Sequence, residues 1–348
     1  MSESQDAKKQ QDGGPSQLVL AQLQAEVREL RAYVTQLEAN IRNITLLGSF
    51  RRGLAKLLGA RLHKLDQYRS RHMHIPASYY RTKPPANPPL ISIVTPSYNQ
   101  GRFLEETIKS VLDQNYPRLE YAIQDGGSKD ESASIIEKYR DKLVHGESKK
   151  DKGQGNAINL GFVHACKGEI MAYLNSDDLL LPGTLNYVAN YFAANPKIDV
   201  VYGHRIIIDH FSQEVGRWVL PNHSEEMLLW ADYVPQETMF WRRSIWDKAG
   251  GKIDESFQFA LDWDLLLRFR DAGARFKRLP RFMGAFRIHP SQKTSAELAA
   301  TGTPEMNRIR ERVHHRTTTL IDIRKHLRGY MLAHVWHNWL YRLGIAHQ

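Results

Sequence analysis

The pattern of apolar residues divides the chain into parts with different periodicities. Between residues 17 and 47, apolar side chains recur with alternating spacings of three and four: Leu20, Leu23, Val27, Leu30, Val34, Leu37, Ile41 and Ile44. A 3.5-residue period is typical of a coiled-coil seam. We therefore predict a homodimeric coiled coil over residues 17–47, preceded by a polar, disordered tail of residues 1–16. A single amphipathic helix lying on the chain's own globular domain is the alternative.

A second helical pattern occupies the start of residues 48–89. Its apolar face runs from Phe50 to Leu65, and the opposite face carries Arg51, Arg52, Lys56, Arg61 and Lys64. Such a face either is solvated while the helix packs on the main domain, or lies on an anionic lipid surface. The prolines between Pro84 and Pro89 predict a stiff linker, with a domain boundary near residue 90.

From Leu90 onward, short apolar runs alternate with helical patterns. Strands are predicted at Ile91–Val94, Leu119–Ile123, Lys142–His145 and Ile170–Leu174, and helices at Phe103–Gln114 and residues 155–166. Ser128 and Glu131 have the spacing of a capping box for a further helix. Repeated strand–helix units predict an α/β fold with a mostly parallel sheet flanked by helices.

Charge is distributed unevenly along the chain. The net charge is +10, but residues 47–90 hold nine Lys or Arg and one acid, and residues 304–348 hold eight and three. The central region is therefore slightly acidic, which argues against a nucleic-acid enzyme. The lone Cys166 excludes an intrachain disulfide and suits a reducing compartment. Without a signal sequence or a spanning apolar run, we expect a cytoplasmic protein that is either free or bound peripherally to the inner membrane face.

Two adjacent carboxylates, Asp177 and Asp178, follow the predicted strand that ends at Leu174. Their mutual repulsion favours a counter-charge, and hard oxygen ligands suit Mg²⁺ or Mn²⁺. Open α/β sheets bind ligands at the carboxyl ends of their strands. The pair therefore predicts a site for a metal ion and a phosphate group, although adjacent acids in a loop can also be merely solvated.

Several motifs follow one another at defined spacings. They are Thr95-Pro-Ser-Tyr-Asn99, Asp125, Asp151-Lys-Gly-Gln-Gly-Asn-Ala-Ile-Asn-Leu-Gly161, Asn175-Ser-Asp-Asp178, Pro235-Gln-Glu-Thr-Met-Phe-Trp-Arg242, Leu261-Asp-Trp-Asp-Leu-Leu-Leu-Arg268 and Arg287-Ile-His289. In this order the chain resembles family 2 glycosyltransferases with the GT-A fold. The resemblance places a GT-A domain at residues 90–300.

The resemblance also implies roles for individual residues in binding a nucleotide-sugar donor. Asp178 and His289 correspond to metal ligands for Mn²⁺ or Mg²⁺, and Asp177 corresponds to a residue that contacts ribose or metal-bound water. The expected donor-binding residues are Thr95, Ser97, Tyr98, Asp125, Gly153, Asn156, Asp177 and Gln236. Among them, Asp125 would accept a hydrogen bond from uracil and Tyr98 would stack on the base.

Asp262 resembles the catalytic base of this family, which takes the proton of the acceptor hydroxyl in an inverting displacement. Leu261 stands where many members have Glu, so Asp264 remains an alternative base. The expected function is transfer of one sugar from a UDP-sugar to a saccharide or lipid-linked acceptor in cell-surface glycan assembly. A nucleotidyltransferase and a non-catalytic coiled-coil scaffold are the alternatives.

Residues 301–348 are predicted to form basic, aromatic-rich helices. Trp336, Trp339, Leu340 and Leu343 fall on one helical face. This face either packs on the core or the coiled coil, or contacts a lipid surface.

Overall fold

The computed structural model describes residue 65 and residues 67–165, 167–289 and 298–345. The predicted tail, the coiled coil, most of the predicted basic helix and Cys166 lie outside the described residues. All of the described residues belong to one compact unit.

Nine strands form a single sheet within the described part of the chain. They are β1 (Ile91–Ser97), β2 (Leu119–Asp125), β3 (His145–Ser148), β4 (Ile170–Tyr173), β5 (Leu179–Leu180), β6 (Val200–Ile208), β7 (Glu214–Trp218), β8 (Phe240–Arg242) and β9 (Phe276–Arg287). The strand order is β3-β2-β1-β4-β8-β6-β9-β5, with β7 paired to β6. The first four strands in this order are parallel, as the alternating pattern predicts. In the other half of the sheet, β8 pairs antiparallel with β4 and β6, and β5 pairs antiparallel with β9.

Helices cover both faces of this sheet. They are α1 (Ala77–Tyr80), α2 (Gly101–Leu112), α3 (Ser132–Lys138), α4 (Gln154–His164), α5 (Thr184–Ala194), α6 (Glu225–Leu228), α7 (Arg243–Lys248), α8 (Leu261–Asp271), α9 (Thr303–His314) and α10 (Leu320–Arg342). Short 3₁₀ turns lie at Arg140–Lys142 and Gln236–Thr238, and a π-helical turn at Leu298–Gly302.

Successive side chains of β1 point to opposite faces of the sheet. Val94 belongs to the core that contains Ile158 and Phe162 of α4, whereas Ile93 belongs to the core that contains Leu104 of α2. This two-residue alternation is the geometry of a strand buried on both sides. It explains why the central strands read as continuous apolar runs.

Gly161 allows α4 to lie directly on β1. A Cβ atom at this position would be 2.4 Å from Cγ1 of Val94, closer than two carbon atoms can approach. The absence of a side chain therefore sets the distance between the helix and the strand, and with it the position of the α4 N-terminus at the carboxyl edge of the sheet.

Two local predictions differ from the structure. The third strand begins at His145 rather than Lys142, because Arg140–Lys142 forms a 3₁₀ turn. The predicted capping box of Ser128 and Glu131 is absent, since α3 begins only at Ser132. The Ser128 hydroxyl instead donates to Asp125, at 2.5 Å, so the loop after β2 uses this residue before any helix starts.

The segment that precedes the predicted Pro-rich linker lies against the sheet. The backbone N–H of Gln67 donates to Val215 of β7, and the hydroxyl of the buried Tyr79 accepts from Phe282 N at 3.2 Å. The Arg281 guanidinium stacks over the Tyr79 ring at 3.9 Å. Residues 67–82 thus pack on the domain ahead of the Pro-rich stretch.

The last long helix, α10, starts at a capping box in which Thr319 and Asp322 exchange side-chain and backbone hydrogen bonds. Its inner face packs on the domain, where Tyr341 contacts Phe282 with ring centroids 5.5 Å apart and accepts a hydrogen bond from Arg217. No helix among the described residues is both long and apolar enough to cross a bilayer.

Candidate active site

The predicted site residues gather at the carboxyl edge of the parallel strands. β1, β2 and β4 lie side by side and end at Ser97, Asp125 and Tyr173. The turn after β4 is connected to α4 by a hydrogen bond of 2.8 Å from Gln154 Nε2 to Asn175 Oδ1. The loops after three strands therefore meet at one place, as expected for a ligand site in an α/β sheet.

Asp177 and His289 are in contact. Asp177 Oδ2 lies 3.0 Å from His289 Nε2, and the His289 ring packs on Phe103 with centroids 4.8 Å apart. Carboxylate oxygen and imidazole nitrogen are both ligands for Mn²⁺, and carboxylate oxygen suits Mg²⁺. No group of three His, Cys, Asp or Glu side chains positioned to hold a metal occurs among the described residues. Asp177 and His289 are the two described side chains at this point that could hold a metal ion.

Asp178 points away from this pair. Its carboxylate is buried, and Oδ1 accepts a hydrogen bond from the backbone N–H of Arg287 at 3.0 Å. Burial raises the pKa of Asp178 well above its usual range, and the nearby Asp177 and Glu237 carboxylates raise it further. The geometry therefore favours Asp177, not Asp178, as the residue that faces a metal, which reverses the assignment made from the sequence.

The Arg287 side chain holds the turn that carries both acids. Its Nε donates to the Asp177 carbonyl at 2.7 Å, and Nη2 pairs with Glu106 at 2.7 Å. The guanidinium also lies 4.7 Å from the centre of the Phe103 ring. Fully buried, Arg287 connects α2, β9 and the turn, so it positions Asp177 without being exposed to a ligand.

Asp125 is fully buried and its carboxylate is used by its own loop. It accepts from Gly127 N, Ser128 N, Ser128 Oγ and Ser148 Oγ at 2.5–3.1 Å. Three of these donors bind Oδ2 and one binds Oδ1, so the loop uses most of the acceptor capacity of the carboxylate. Contact with a nucleobase would use the remaining acceptor position on Oδ1 or replace one of these bonds.

Tyr98 and Asp151 flank the glycine that follows Asp125. Tyr98 is 64% exposed, and a Cβ atom on Gly126 would lie 3.2 Å from both the Tyr98 ring and the Asp151 carboxylate. Burial raises the pKa of Asp151, and the carboxylates of Asp125 and Glu255 contribute. An exposed ring beside a carboxylate suits stacking and hydrogen bonding to a planar base.

The other predicted donor-binding residues divide into two groups. Ser97 Oγ and Gln236 Oε1 are buried and have no hydrogen-bond partner in the described structure, as expected of groups reserved for a ligand. Thr95 Oγ1 instead pairs with Tyr121 in the core at 2.9 Å. Asn156 binds Glu255 at 3.0 Å, so both side chains serve internal contacts in this structure.

Gly153 precedes α4 with φ of 112°, a conformation that favours glycine. Its N–H donates to Asp151 Oδ1 at 2.8 Å. The residue therefore serves the turn before α4, consistent with close backbone approach to a bound nucleotide.

Asp262 and Asp264 have different environments at the start of α8. Asp262 is half-buried and accepts from Trp263 N at 2.9 Å, with no cation bound to it in the described structure. Burial raises its pKa to about 6, against the lowering effect of backbone hydrogen bonds and Arg205. Asp264 is fully buried and pairs with Arg268 at 2.8 Å and Arg312 at 2.7 Å. Of the two carboxylates, Asp262 is therefore the one without a cationic partner among the described residues.

Arg205 on β6 faces the acidic side of the site. It forms a two-pronged ion pair with Glu237, and it lowers the pKa values of Asp178 and Asp262. The guanidinium lies 4.3 Å from the centre of the Phe286 ring. One buried cation thus offsets several carboxylates, which would otherwise repel one another.

Comparisons with known proteins agree with this geometry. Residues 92–248 match the model of the glycosyl transferase family 2. An uncharacterized glycosyltransferase of Rickettsia typhi is 31% identical over 220 residues, which cover 60% of this chain and 67% of that protein. The chain belongs to glycosyltransferase family 2. The Escherichia coli chondroitin synthase is 30% identical over 188 residues, but this enzyme covers only 27% of that longer protein.

Solved structures confirm the GT-A fold of the enzyme. Staphylococcus aureus TarS 1-349 in complex with UDP-GlcNAc superposes with a TM-score of 0.55 at 18% identity, covering 70% of this chain and 72% of the TarS 1-349 chain. The mannosyltransferase PcManGT from Pyrobaculum calidifontis, in complex with GDP-Man and Mn²⁺, gives 0.51 at 18% identity, covering 91% and 84%. At such identities the likeness concerns the fold.

Three residues of the enzyme's site were not singled out from the sequence. Arg205 could have been noticed as a lone cation within the apolar strand β6. Asp151 opens a glycine-rich motif but gave no signal of its own. Asp232 is exposed beside the site, where the surrounding protein and Asp262 raise its pKa while Arg205 lowers it. Nothing in its sequence neighbourhood distinguishes it from a surface acid.

Proposed function

We propose that this glycosyltransferase transfers one sugar from a nucleotide-sugar, with a UDP-sugar as the first candidate, to a hydroxyl of a saccharide or glycolipid, with inversion at the anomeric carbon. The observation that carries the proposal is the half-buried Asp262, which is not paired with a cation and has a pKa of about 6. Burial raises the pKa of Tyr173 and the carboxylates of Asp262 and Asp178 both raise it further, which supports a location of both acids near this one side chain.

In the proposed reaction, Asp262 takes the proton of the acceptor hydroxyl as the acceptor oxygen bonds to the anomeric carbon. The bond between that carbon and the diphosphate oxygen breaks, and its electron pair leaves with the nucleoside diphosphate. A base of pKa near 6 is deprotonated at neutral pH, yet basic enough to accept a proton late in the transfer. Asp264 cannot do this while two arginines occupy its oxygens.

Asp177 and His289 would hold a divalent cation, Mn²⁺ or Mg²⁺, whose charge would offset that of the leaving diphosphate. This donor pair fits the preference of such cations for phosphate oxygens and water at their remaining positions. Arg287 keeps the Asp177 turn in place, and Arg205 limits the repulsion among the surrounding acids.

Tyr98, Asp151 and the unpartnered Ser97 hydroxyl support a nucleotide site next to this pair. Both structural neighbours were solved with sugar nucleotides, UDP-GlcNAc in one case and GDP-Man in the other. The similarity to chondroitin synthase supports a saccharide acceptor and a role in polysaccharide assembly.

The test is incubation of the full-length enzyme with a panel of UDP-, GDP- and dTDP-sugars, Mn²⁺ and oligosaccharide acceptors. Glycosyl transfer releases a nucleoside diphosphate together with an extended acceptor of inverted anomeric configuration. Release of pyrophosphate would instead identify a nucleotidyltransferase. No turnover and no binding of any nucleotide across the panel would favour the scaffold alternative and would contradict the proposal.

A further inference from the structure

The outer face of α10 carries a continuous stripe that no described residue covers. Counting along the helix at spacings of three or four, the stripe consists of Ile321, Lys325, Arg328, Leu332, Trp336, Trp339 and Leu343. Ile321 is 78% exposed, Leu332 is 72% exposed and Trp336 is 56% exposed. Trp336 stacks on Trp339 with ring centroids 5.2 Å apart. Exposed apolar side chains in a row mark an interaction surface rather than ordinary scattered exposure.

The opposite face of α10 is already occupied by the domain. Asn338 Nδ2 donates to the Val219 carbonyl at 3.2 Å, His334 is buried against Trp218, and the Tyr330 ring contacts Tyr233. The helix is therefore fixed by its inner face. Its outer stripe is not needed for the packing of the enzyme.

The charge of the outer face is positive. Arg324, Lys325, Arg328 and Arg342 are all exposed. The one acid between Leu320 and Arg342 is Asp322, which is bound to Arg316 at 3.0 Å and caps the helix. Lys325 and Arg328 lie within the stripe, and Arg324 and Arg342 lie beside it, so the cations and the apolar side chains would meet the same partner.

We propose that α10 docks the enzyme onto an anionic lipid surface, with Leu332, Trp336 and Leu343 among the acyl chains and the cations at the headgroups. Three features favour lipid over a protein partner. The face carries four exposed cations and one acid that is already bound to Arg316, tryptophan suits the boundary between water and acyl chains, and the stripe continues along the whole helix. Because the helix is amphipathic and charged, α10 would lie parallel to the membrane surface instead of crossing the bilayer.

Vesicle sedimentation tests the proposal with the full-length chain. Binding to vesicles of phosphatidylglycerol and phosphatidylcholine is expected, with loss of binding on pure phosphatidylcholine or at high salt. The double variant Leu332→Ser/Trp336→Ser is expected to reduce the partition coefficient by at least about tenfold. In Lys325→Gln/Arg328→Gln, each charge removed is expected to reduce it about fivefold at low salt.

Matched controls lie elsewhere on the enzyme. Phe211 is 67% exposed, close to the exposure of Leu332, and Lys197 is an exposed cation outside α10. Phe211→Ser and Lys197→Gln should bind vesicles like the unmodified chain. Failure of the unmodified chain to bind anionic vesicles, or equal binding by the α10 variants, overturns the proposal. A change of oligomeric state in the α10 variants, without a change in vesicle binding, would assign the stripe to a protein contact and likewise overturn it.

Tryptophan fluorescence identifies the contacting helix. Of the seven tryptophans, Trp336 alone is strongly exposed. The predicted basic helix near the start of the chain contains no tryptophan. Quenching by vesicles with brominated acyl chains should therefore occur in the unmodified chain and disappear in Trp336→Phe/Trp339→Phe. Vesicle binding without quenching would place the lipid contact elsewhere and refute the role of α10.

Discussion

The Asp177 carboxylate and the His289 imidazole lie 3.0 Å apart although 112 residues separate them in the chain. The contact is made because β9 runs beside the turn that follows β4, where β5 pairs with β9 in antiparallel register. It brings His289, a metal ligand expected from the sequence, beside Asp177 rather than beside Asp178, the other expected ligand.

This contact predicts which of the two adjacent acids binds metal. Asp177→Asn should weaken Mn²⁺-dependent binding of a nucleoside diphosphate by at least about 100-fold, since loss of a direct ligand exceeds the usual cost of losing a supporting residue. Asp178→Asn is the matched control, because Asn can still accept the hydrogen bond from Arg287 N. Calorimetric titration of both variants with a nucleoside diphosphate, with and without Mn²⁺, measures these affinities. Retained Mn²⁺ dependence in Asp177→Asn and its loss in Asp178→Asn would restore the assignment made from the sequence.

The raised pKa of Asp262 predicts a pH dependence of turnover. The carboxyl must be deprotonated to act as a base, and burial raises its pKa from 3.8 to about 6. kcat/KM should therefore be constant above about pH 7 and decrease tenfold per pH unit well below pH 6. A decrease in kcat/KM that begins only near pH 4 would show that the base has an ordinary carboxyl pKa. The measurement requires a buffer series at constant ionic strength and saturating Mn²⁺.

The paired Asp264 predicts an effect on stability. Asp264→Ala leaves Arg268 and Arg312 without their counter-charge, and α8 loses its ion pair with α9. We expect a loss of about 2–4 kcal/mol, because removing one partner of a buried pair is costly and Arg312 is partly exposed. Urea unfolding followed by circular dichroism measures the change. Unchanged stability with abolished turnover would indicate that Asp264, rather than Asp262, takes part in the reaction.

Substitution by alanine is expected to have opposite effects on stability at two helical glycines. Gly161→Ala places a methyl group 2.4 Å from Val94, so α4 must shift and the protein should lose about 1–3 kcal/mol. Gly329→Ala in α10 meets no atom within 4 Å and should gain up to about 1 kcal/mol from helix propensity. Thermal unfolding of both variants is the measurement. Equal effects of the two substitutions would contradict the packing of α4 on β1.

Much of the fold follows from the apolar pattern. The strands at Ile91 and Ile170 are confirmed because both are buried along their whole length and consist mainly of β-branched or apolar residues. The start of the third strand was missed because Lys142 has no alternating neighbours to define it. The Ser128 cap was wrongly predicted, because a serine that follows an aspartate can form hydrogen bonds within the turn as readily as it can cap a helix.

The residue types of the site could be predicted from the sequence, but the directions in which their side chains point could be predicted less well. A sequence places Asp177 and Asp178 at a strand end, yet adjacent residues point in different directions, and only β9 decides which is buried. Similarly, the choice of Asp262 over Asp264 depends on Arg312, which comes from a distant helix. Thr95 was expected beside the nucleotide, but the hydroxyl of Tyr121 on the neighbouring strand binds it in the core.

The most direct test of the proposed chemistry is a comparison of donor binding and donor turnover in Asp262→Asn. Asparagine preserves the shape of the side chain and can still accept the hydrogen bond from Trp263 N, but it cannot take a proton. We predict donor affinity within about threefold of the unmodified enzyme and a rate of nucleoside diphosphate release reduced at least about 1000-fold. Full release of nucleoside diphosphate with transfer to the acceptor by Asp262→Asn would contradict the assignment of the base.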